Sequence, residues 1–292
     1  MNPLVTLDIT QWNERPLRDI TATATDALEN GQILFMPNLK FELLPAEAAL
    51  LDPKWLGAGA KNIGFDPRTE RLSHACVSGA EASQLTWMLA RYAKCARQIA
   101  THLCPDYARH LKDGMTSLRP AQVKGRASSV RKDDTRLHLD SFVSRPTGGL
   151  RLLRVFHNIN PHGEPRVWEI GETMPKVAEI YLDRAKSQLP GSAWLMERLG
   201  IVKGRRTEYD HLMLQLHDLA KLDNQRQQTC KRTRIELPAH STWMVFTDGV
   251  EHAVMSGQYL LEQTFYLPVT AMHDEAKAPL RVLERMREHA LV

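Results

Sequence analysis

A series of short strand-like segments in the second half of the chain constrains the fold most. Alternating or continuous apolar residues predict these strands, and proline, glycine or asparagine ends several of them. Many short strands with helices around them are typical of an antiparallel β-sandwich or jelly roll with a helical jacket. The predicted strands are residues 135–143, 150–159, 167–170, 233–237, 243–247, 253–255 and 259–267.

Helical periodicity appears before, between and after these strands. Residues 33–37 predict an early strand that ends at a proline, whereas residues 43–52 and 80–104 predict helices. We therefore predict an α+β fold with a double-stranded β-helix (jelly roll) core in a single domain, 1–292. Its parts are a mainly helical N-terminal layer (about 1–110), the core (about 111–270), a helical insertion (near 175–222) and a C-terminal helix (about 277–290).

Composition excludes several classes of protein. Hydrophobic residues make up 43% of the 292 positions, which is enough to fill a large core and excludes a disordered chain. The N-terminus does not resemble a secretion signal, and no apolar run is long enough for a transmembrane helix. The four cysteines show no paired metal-binding spacing, so we expect reduced thiols in a cytoplasmic protein.

Positive charge is concentrated in one stretch of the chain. The formal net charge is +4, yet residues 119–166 contain ten Lys/Arg and only four Asp/Glu. Many of these side chains are expected in solvated loops. A local excess of this size can nevertheless attract an anionic ligand.

A two-histidine, one-carboxylate metal site is the leading functional hypothesis. His138 and Asp140 are two positions apart on a predicted strand, so both side chains point the same way. His252 follows a predicted strand and turn, from which it can approach that pair. Such a triad caps one face of an octahedral Fe(II) and leaves positions for a 2-oxoacid and O2. The alternative is a surface His–Asp pair and an unrelated core histidine.

Other metal assignments are weaker. Zinc favours tetrahedral sites and hydrolysis, and the sequence offers no general base beside the triad. His162 with Glu164, and the 273–275 group, lie in turn-like or tail segments. Asp248 is expected to be a turn residue.

A dicarboxylate cosubstrate such as 2-oxoglutarate also requires a cation for its far carboxylate. Many oxygenases of this type carry that cation about ten residues after the last histidine, but here those positions are Glu262 and Gln263. Arg154, within an apolar strand, is our candidate for cosubstrate binding, with a structural ion pair to Glu262 as the alternative. Arg151, at the strand end, is expected to be solvated. For an anionic substrate the candidates are Arg119 and Arg166, and for each a plain surface position is the alternative.

Several longer motifs resemble the Kdo hydroxylase family. The similarity runs along nearly the whole chain, including residues 31–45, and the later motifs are far more distinctive than His-x-Asp alone. The motifs are residues 138–142, 145–147, 150–161, 164–171 and 247–258.

This resemblance implies an Fe(II)- and 2-oxoglutarate-dependent dioxygenase. Its members use O2 to hydroxylate C3 of 3-deoxy-D-manno-oct-2-ulosonic acid (Kdo) attached to lipid A, which gives the sugar Ko. The family's metal ligands carry over to His138, Asp140 and His252. The implied partner is a Kdo-containing lipid A precursor at the inner membrane surface, so we expect a cytoplasmic enzyme, with peripheral membrane contact as an option.

Other functions stay open at this point. A related hydroxylase could act on another acidic sugar or small metabolite. A non-catalytic jelly roll could bind an anionic saccharide without iron. No nucleic-acid partner is expected, and the sequence does not indicate an oligomeric state.

Overall fold

The computed structural model describes residues 2–126, 128–189, 191–200 and 202–292. The strands in this part of the chain are β1 (Leu4–Thr6), β2 (Ile33–Met36), β3 (Ile63–Asp66), β4 (Arg71–Ser73), β5 (Lys112–Arg119), β6 (Arg151–Asn158), β7 (Arg166–Thr173), β8 (Thr233–Leu237), β9 (Thr242–Phe246), β10 (Val250–Ser256) and β11 (Leu260–Leu267). The α-helices are α1 (Arg18–Glu29), α2 (Gly79–Leu103), α3 (Met174–Tyr181), α4 (Ser192–Arg198), α5 (Glu208–Leu222), α6 (Asn224–Thr229) and α7 (Pro279–Arg287).

Two sheets face each other, as expected for a double-stranded β-helix. The larger has the order β1-β2-β9-β6-β11-β5-β3-β4, and the smaller has the order β10-β7-β8. Every strand pair is antiparallel except β1 with β2. Because four of the connections after β6 cross from one sheet to the other, residues distant in sequence meet at one end of the sandwich. The α+β jelly-roll prediction is confirmed.

The predicted strand at residues 135–143 does not form as a regular strand. Only His138 bridges to His252 on β10, and Val254 N–H donates to the Asp134 carbonyl. On the other side, the Gln227 side chain bonds both the N–H and the carbonyl of Leu137. The segment is therefore an irregular fourth member of the smaller sheet, because a side chain replaces a neighbouring strand.

Apolar side chains form two cores. Inside the sandwich, Phe156, Trp168 and Trp243 pack together, with ring centroids 5.2–5.7 Å apart. On the outer side, the buried face of α2 packs among the helices and the larger sheet, and the Tyr92 hydroxyl donates to the Val155 carbonyl. The helices thus cover the outer face of the larger sheet and leave the space between the two sheets for a site.

Most predicted elements are present, with shifted ends. Helix α2 matches the prediction for 80–104 closely, while the helix predicted at 43–52 is a 3-10 turn, Pro45–Leu51. Strands β1, β3, β4 and β5 were not predicted. The insertion begins at α3 and continues through α6. None of the helices in the described residues combines the length and apolarity needed to cross a bilayer.

Candidate metal centre and its cavity

Three side chains from distant parts of the chain converge at one end of the sandwich. His138 and Asp140 lie on the irregular segment, and His252 lies on β10 beside them. Two backbone hydrogen bonds join His138 and His252, from N–H to carbonyl in both directions, at 3.2 and 3.0 Å. The Asp140 N–H donates to the Thr247 carbonyl at 2.9 Å, which anchors the other end of the segment.

The potential ligand atoms of these residues form a compact triangle. His138 Nε2 is 3.7 Å from Asp140 Oδ1, and His252 Nε2 is 3.8 Å from Asp140 Oδ2. One ligand atom from each residue lies within 4.8 Å of the other two. A single ion about 2 Å from each atom fits such a triangle.

Backbone carbonyls orient both imidazoles. The Nδ1 of His138 lies 2.7 Å from the Arg136 carbonyl, and the Nδ1 of His252 lies 3.1 Å from the Val250 carbonyl. A carbonyl can only accept, so each Nδ1 carries the proton and each Nε2 keeps its lone pair. Both lone pairs are then available to a metal, as in metal sites whose histidines are oriented by hydrogen bonds.

The protonation states also suit a cation. Burial lowers the pKa of both histidines, and for His138 the charge of a protonated His252 lowers it further. Burial raises the pKa of Asp140, but the nearby Arg154 and histidines outweigh this effect and hold that carboxyl pKa well below its usual value. Asp140 Oδ2 is buried and accepts no hydrogen bond within the described structure, although Arg154 Nη1 lies 2.9 Å away as its ion-pair partner. Two neutral imidazoles and one carboxylate therefore fit a divalent metal.

Aromatic rings enclose this triad on the sheet side. The Trp168 ring stacks on His252 at 5.1 Å and 21°, and the His217 ring meets His138 edge-on at 5.3 Å. The space in front of the triad, which we call the metal cavity, has a volume of about 300 Å³. It is large enough for small polar ligands beside a metal.

The lining of the metal cavity is strongly cationic. Three acidic residues, Asp134, Asp140 and Glu262, face seven Lys or Arg, so the formal excess is four positive charges before any metal is added. Such a cavity favours polyanionic ligands over neutral ones. The cations are Lys61, Arg119, Arg131, Lys132, Arg154, Arg166 and Lys221.

The three predicted arginines have different partners. Glu262 lies on β11 between β5 and β6, where Arg119 and Arg154 are its diagonal neighbours. Arg119 donates to Glu262 through Nε and Nη2 at 3.0 and 2.8 Å. Arg154 Nη1 lies 2.9 Å from Asp140 Oδ2 and 3.5 Å from Glu262 Oε1. Both arginines thus neutralise buried carboxylates.

Arg166 differs, because no acidic residue in the described part of the chain forms an ion pair with it. Its side chain is only 3% exposed, and the described residues offer no hydrogen-bond partner to its buried Nε and Nη1. Burial, with the neighbouring charge of Arg119, lowers the pKa of Arg166 to about 9. A buried guanidinium without a counter-anion is a candidate site for binding one.

Arg151 forms a buried ion pair, contrary to the sequence prediction. The prediction that it is solvated is wrong: Arg151 is buried and donates to both oxygens of Asp248, at 2.9 and 3.2 Å. Asp248 does lie in the turn before β10, but its carboxylate forms a buried ion pair. This ion pair joins the start of β6 to the turn between β9 and β10.

Sequence reasoning missed the contribution of the insertion to the site. Helix α5 supplies His217 and Lys221, four positions apart on one face, and both line the metal cavity. Lys221 is buried, donates to the Arg131 carbonyl and lies 3.9 Å from Asp134. The i, i+4 spacing of these two residues was the available signal.

Comparisons with known proteins agree with this geometry. A family model described as 3-deoxy-D-manno-oct-2-ulosonic acid (Kdo) hydroxylase matches residues 11–290. A curated protein of Brucella melitensis biotype 1, a bifunctional glutamine synthetase adenylyltransferase/adenylyl-removing enzyme, is 28% identical over 187 residues, or 56% of this chain. This chain spans only 18% of the length of that protein, so the match carries no functional argument.

Solved structures resemble the whole chain. A crystal structure of the Kdo hydroxylase KdoO with α-ketoglutarate (2-oxoglutarate) and Fe(III) is 44% identical, with a TM-score of 0.96. A cobalt(II) complex of KdoO is 45% identical, with a TM-score of 0.97. In both comparisons the match covers 100% of this chain and 98% of the other.

Proposed function

The chain belongs to the Kdo hydroxylase family, and on this premise we propose that it is an Fe(II)- and 2-oxoglutarate-dependent dioxygenase. Its substrate is a Kdo residue attached to a lipid A precursor, which it hydroxylates at C3 to give Ko. One observation carries the proposal. The Nε2 atoms of His138 and His252 and the carboxylate of Asp140 meet within 4.8 Å, with both imidazoles held in the ligating tautomer.

We assign His138, Asp140 and His252 as the ligands of the iron. The ion, when bound, supplies redox chemistry that couples 2-oxoglutarate decarboxylation and O2 reduction to hydroxylation. The protein supplies geometry: carbonyls of Arg136 and Val250 hold the imidazoles, and Arg154 holds Asp140. The Trp168 ring shields His252.

Charge in the metal cavity favours arginine roles that differ from the sequence prediction, in which Arg154 binds the cosubstrate and Arg119 and Arg166 bind the substrate. Arg119, Arg154 and Arg166 carry three positive charges, opposed by Asp140 and Glu262. One uncompensated charge remains, and it resides on Arg166. We propose that this cluster binds the far carboxylate of 2-oxoglutarate, with Arg166 as the main contact and Arg154 as the link to Asp140. Arg119 then orients Glu262, and the lysines of the cavity lining, Lys61, Lys132 and Lys221, attract the acidic substrate.

Anaerobic reconstitution tests the ligand set. Wild-type protein with Fe(II) and 2-oxoglutarate should develop a visible charge-transfer band. The variants Asp140→Ala and His138→Ala should lose it, whereas Asp106→Ala and His162→Ala, at exposed positions, serve as matched controls and should keep it. An unchanged band in Asp140→Ala rules out the assignment.

Turnover in air tests the reaction. A Kdo-lipid A acceptor should gain one oxygen in the mass spectrum while succinate forms in equal amount, and neither should occur without O2. Saccharide binding without succinate formation would instead favour a non-catalytic binding module. Hydroxylation of a different acidic sugar, with no reaction of Kdo-lipid A, would keep the enzyme class and change the assigned substrate.

A surface of the insertion supports a peripheral place on the inner face of the inner membrane. On and after helix α4, Trp194 and Leu199 are 53% and 63% exposed, and the basic residues Arg198, Lys203 and Arg205 lie among them. Lys203 N–H donates to the carbonyl of Ser144, which joins this surface to the loop before the metal cavity. Apolar side chains among cations suit an anionic bilayer.

Co-sedimentation with vesicles tests this location. Binding should be stronger to vesicles containing phosphatidylglycerol than to phosphatidylcholine alone, and Trp194→Ser with Leu199→Ser should weaken it. The exposed Trp87→Ser, on helix α2, is the control. Equal sedimentation of the wild type and of the Trp194→Ser, Leu199→Ser double variant with anionic vesicles would contradict the assigned surface.

A further inference from the structure

A second cavity of about 320 Å³ lies next to the metal cavity. The two cavities have six lining residues in common and are therefore adjacent along one shared wall. Arg154 and Phe142 are central to this wall: the guanidinium of Arg154 lies 5.2 Å from the Phe142 ring centroid and also contacts Asp140. The shared residues are Asn62, Arg119, Ser141, Phe142, Arg154 and Glu262.

The lining of the second cavity has the chemistry of a saccharide site. Hydroxyl groups dominate it, and they both donate and accept hydrogen bonds, as sugar hydroxyls require. Phe142 offers an apolar ring face between the two cavities. The hydroxyl-bearing residues are Ser73, Ser117, Ser141, Ser144, Thr264 and Tyr266.

One cation in this lining has no partner. Arg145 forms neither an ion pair nor a hydrogen bond with the residues that the structure describes, and it is partly buried. The nearby carboxylate of Asp66 is occupied by Arg68, whose Nη2 lies 3.1 Å from Asp66 Oδ2. Arg145 therefore stays available to an anion brought by a ligand.

His74 adds a second polar group with an unusual backbone. Its φ is +57°, a left-handed conformation that a non-glycine residue rarely adopts. A hydrogen bond from the Gly57 N–H to the His74 carbonyl holds this conformation at the cavity wall. Such strained positions cluster at ligand sites.

We propose that the second cavity is a subsite for another anionic group of the acceptor, on the unit next to the sugar that is hydroxylated. Arg145 binds that group, a carboxylate or a phosphate, while the hydroxyl groups and Phe142 bind the saccharide. This inference rests on the proposed hydroxylase function. It predicts that the enzyme recognises at least two acidic units of its substrate, one in each cavity.

Three acceptors separate the possibilities: one with a single Kdo, one with a Kdo and an adjacent phosphate, and one with two linked Kdo units. Wild-type enzyme should prefer an extended acceptor through a lower KM. Arg145→Gln should raise KM for that acceptor roughly ten- to hundredfold, the usual effect of losing a charge-assisted hydrogen bond. Its kcat, and its KM for the single-Kdo acceptor, should stay within about twofold of wild type.

The acceptor that responds to Arg145→Gln identifies the anion as carboxylate or phosphate. Arg234→Gln, an exposed arginine outside both cavities, is the matched control, and Tyr266→Phe tests the hydroxyl contribution separately. The affinity for 2-oxoglutarate should be unchanged in all three variants, which also shows that they fold.

Two results would overturn the subsite. In one, the wild type has the same KM for the single-Kdo and the extended acceptors. In the other, Arg145→Gln changes KM for both kinds of acceptor by the same factor. Neither touches the proposed function, since hydroxylation itself persists. Failure of the wild type to hydroxylate any Kdo acceptor would instead count against the proposed function.

Discussion

His157 should make the stability of this protein strongly dependent on pH. It lies on β6, fully buried, with its Nδ1 2.7 Å from the Thr242 hydroxyl, which itself donates to the Leu39 carbonyl. The Phe41 N–H donates to His157 Nε2 at 3.2 Å. The hydroxyl must therefore accept from Nδ1–H, and Nε2 must stay unprotonated. A proton on Nε2 would point at the Phe41 N–H.

Burial, with a smaller effect of His240, lowers the pKa of His157 from 6.5 to about 3. Between these values the unfolded chain binds a proton that the folded chain does not, so stability falls as pH falls through this window. Each pH unit below 6.5 costs about 1.4 kcal/mol. At about pH 5, some 1.5 units below 6.5, the loss attributable to His157 is about 2 kcal/mol, and below pH 3 no further loss accrues.

Urea unfolding of wild type and His157→Gln at about pH 8 and pH 5 measures this effect. Glutamine can still donate to Thr242 and accept from Phe41, but it does not titrate. The variant should be less stable at pH 8, and the gap should narrow by about 2 kcal/mol at pH 5. His138 and His252 contribute in the same direction, but they cancel in the comparison. A gap that stays constant across this range refutes the reasoning.

Three further predictions concern the site and its supports. Gly257→Ala places a Cβ 2.7 Å from Arg166 Cγ at a φ of +131°, so the Arg166 side chain must shift. Anaerobic 2-oxoglutarate binding should therefore weaken several-fold, while the affinity for the metal is kept. An unchanged affinity for 2-oxoglutarate would contradict the role of Arg166. Arg226→Met removes the two hydrogen bonds of 2.7 and 2.6 Å that Arg226 donates to the buried Glu251 and leaves that carboxylate only the one from the Glu172 N–H. The change should cost roughly 3–5 kcal/mol in denaturant unfolding, part of which Glu251→Gln should restore, and a cost below about 1 kcal/mol would contradict this. Because the metal cavity is cationic, KM for an acidic acceptor should rise with ionic strength, and a flat profile in steady-state assays would argue against charge attraction.

Hydrophobic periodicity was sufficient to predict the sandwich because its strands are short, apolar and separated by turn residues. The same periodicity placed His138 and Asp140 on one face, and they do point together although the segment is not a regular strand. The alternation arises because Leu137 and Leu139 are buried on the opposite face. Side chains alternate in this way in irregular extended backbone as well as in a regular strand. Strands such as β3 and β4 were missed because their three or four residues carry too little pattern.

Contacts set by the insertion could not be derived in this way. His217 and Lys221 line the metal cavity because helix α5 packs across its mouth, and Arg226 reaches the residue beside His252. No local pattern specifies how a connection of this length folds back on a sheet. Its apolar residues predict helices, whereas its docking depends on single long-range contacts such as Arg226 with Glu251.

The arginine roles show most clearly where sequence reasoning ends. Arg151, Arg154 and Arg166 are all buried, so each requires an anion, but the sequence does not say which one. Strand order decides: β11 lies between β5 and β6, which gives Glu262 to Arg119 and Arg154, and the turn before β10 gives Asp248 to Arg151. Arg166, on the opposite sheet, receives no carboxylate within the described structure. Its availability for a ligand is therefore a property of the sheet topology, which places every nearby acid beside another cation.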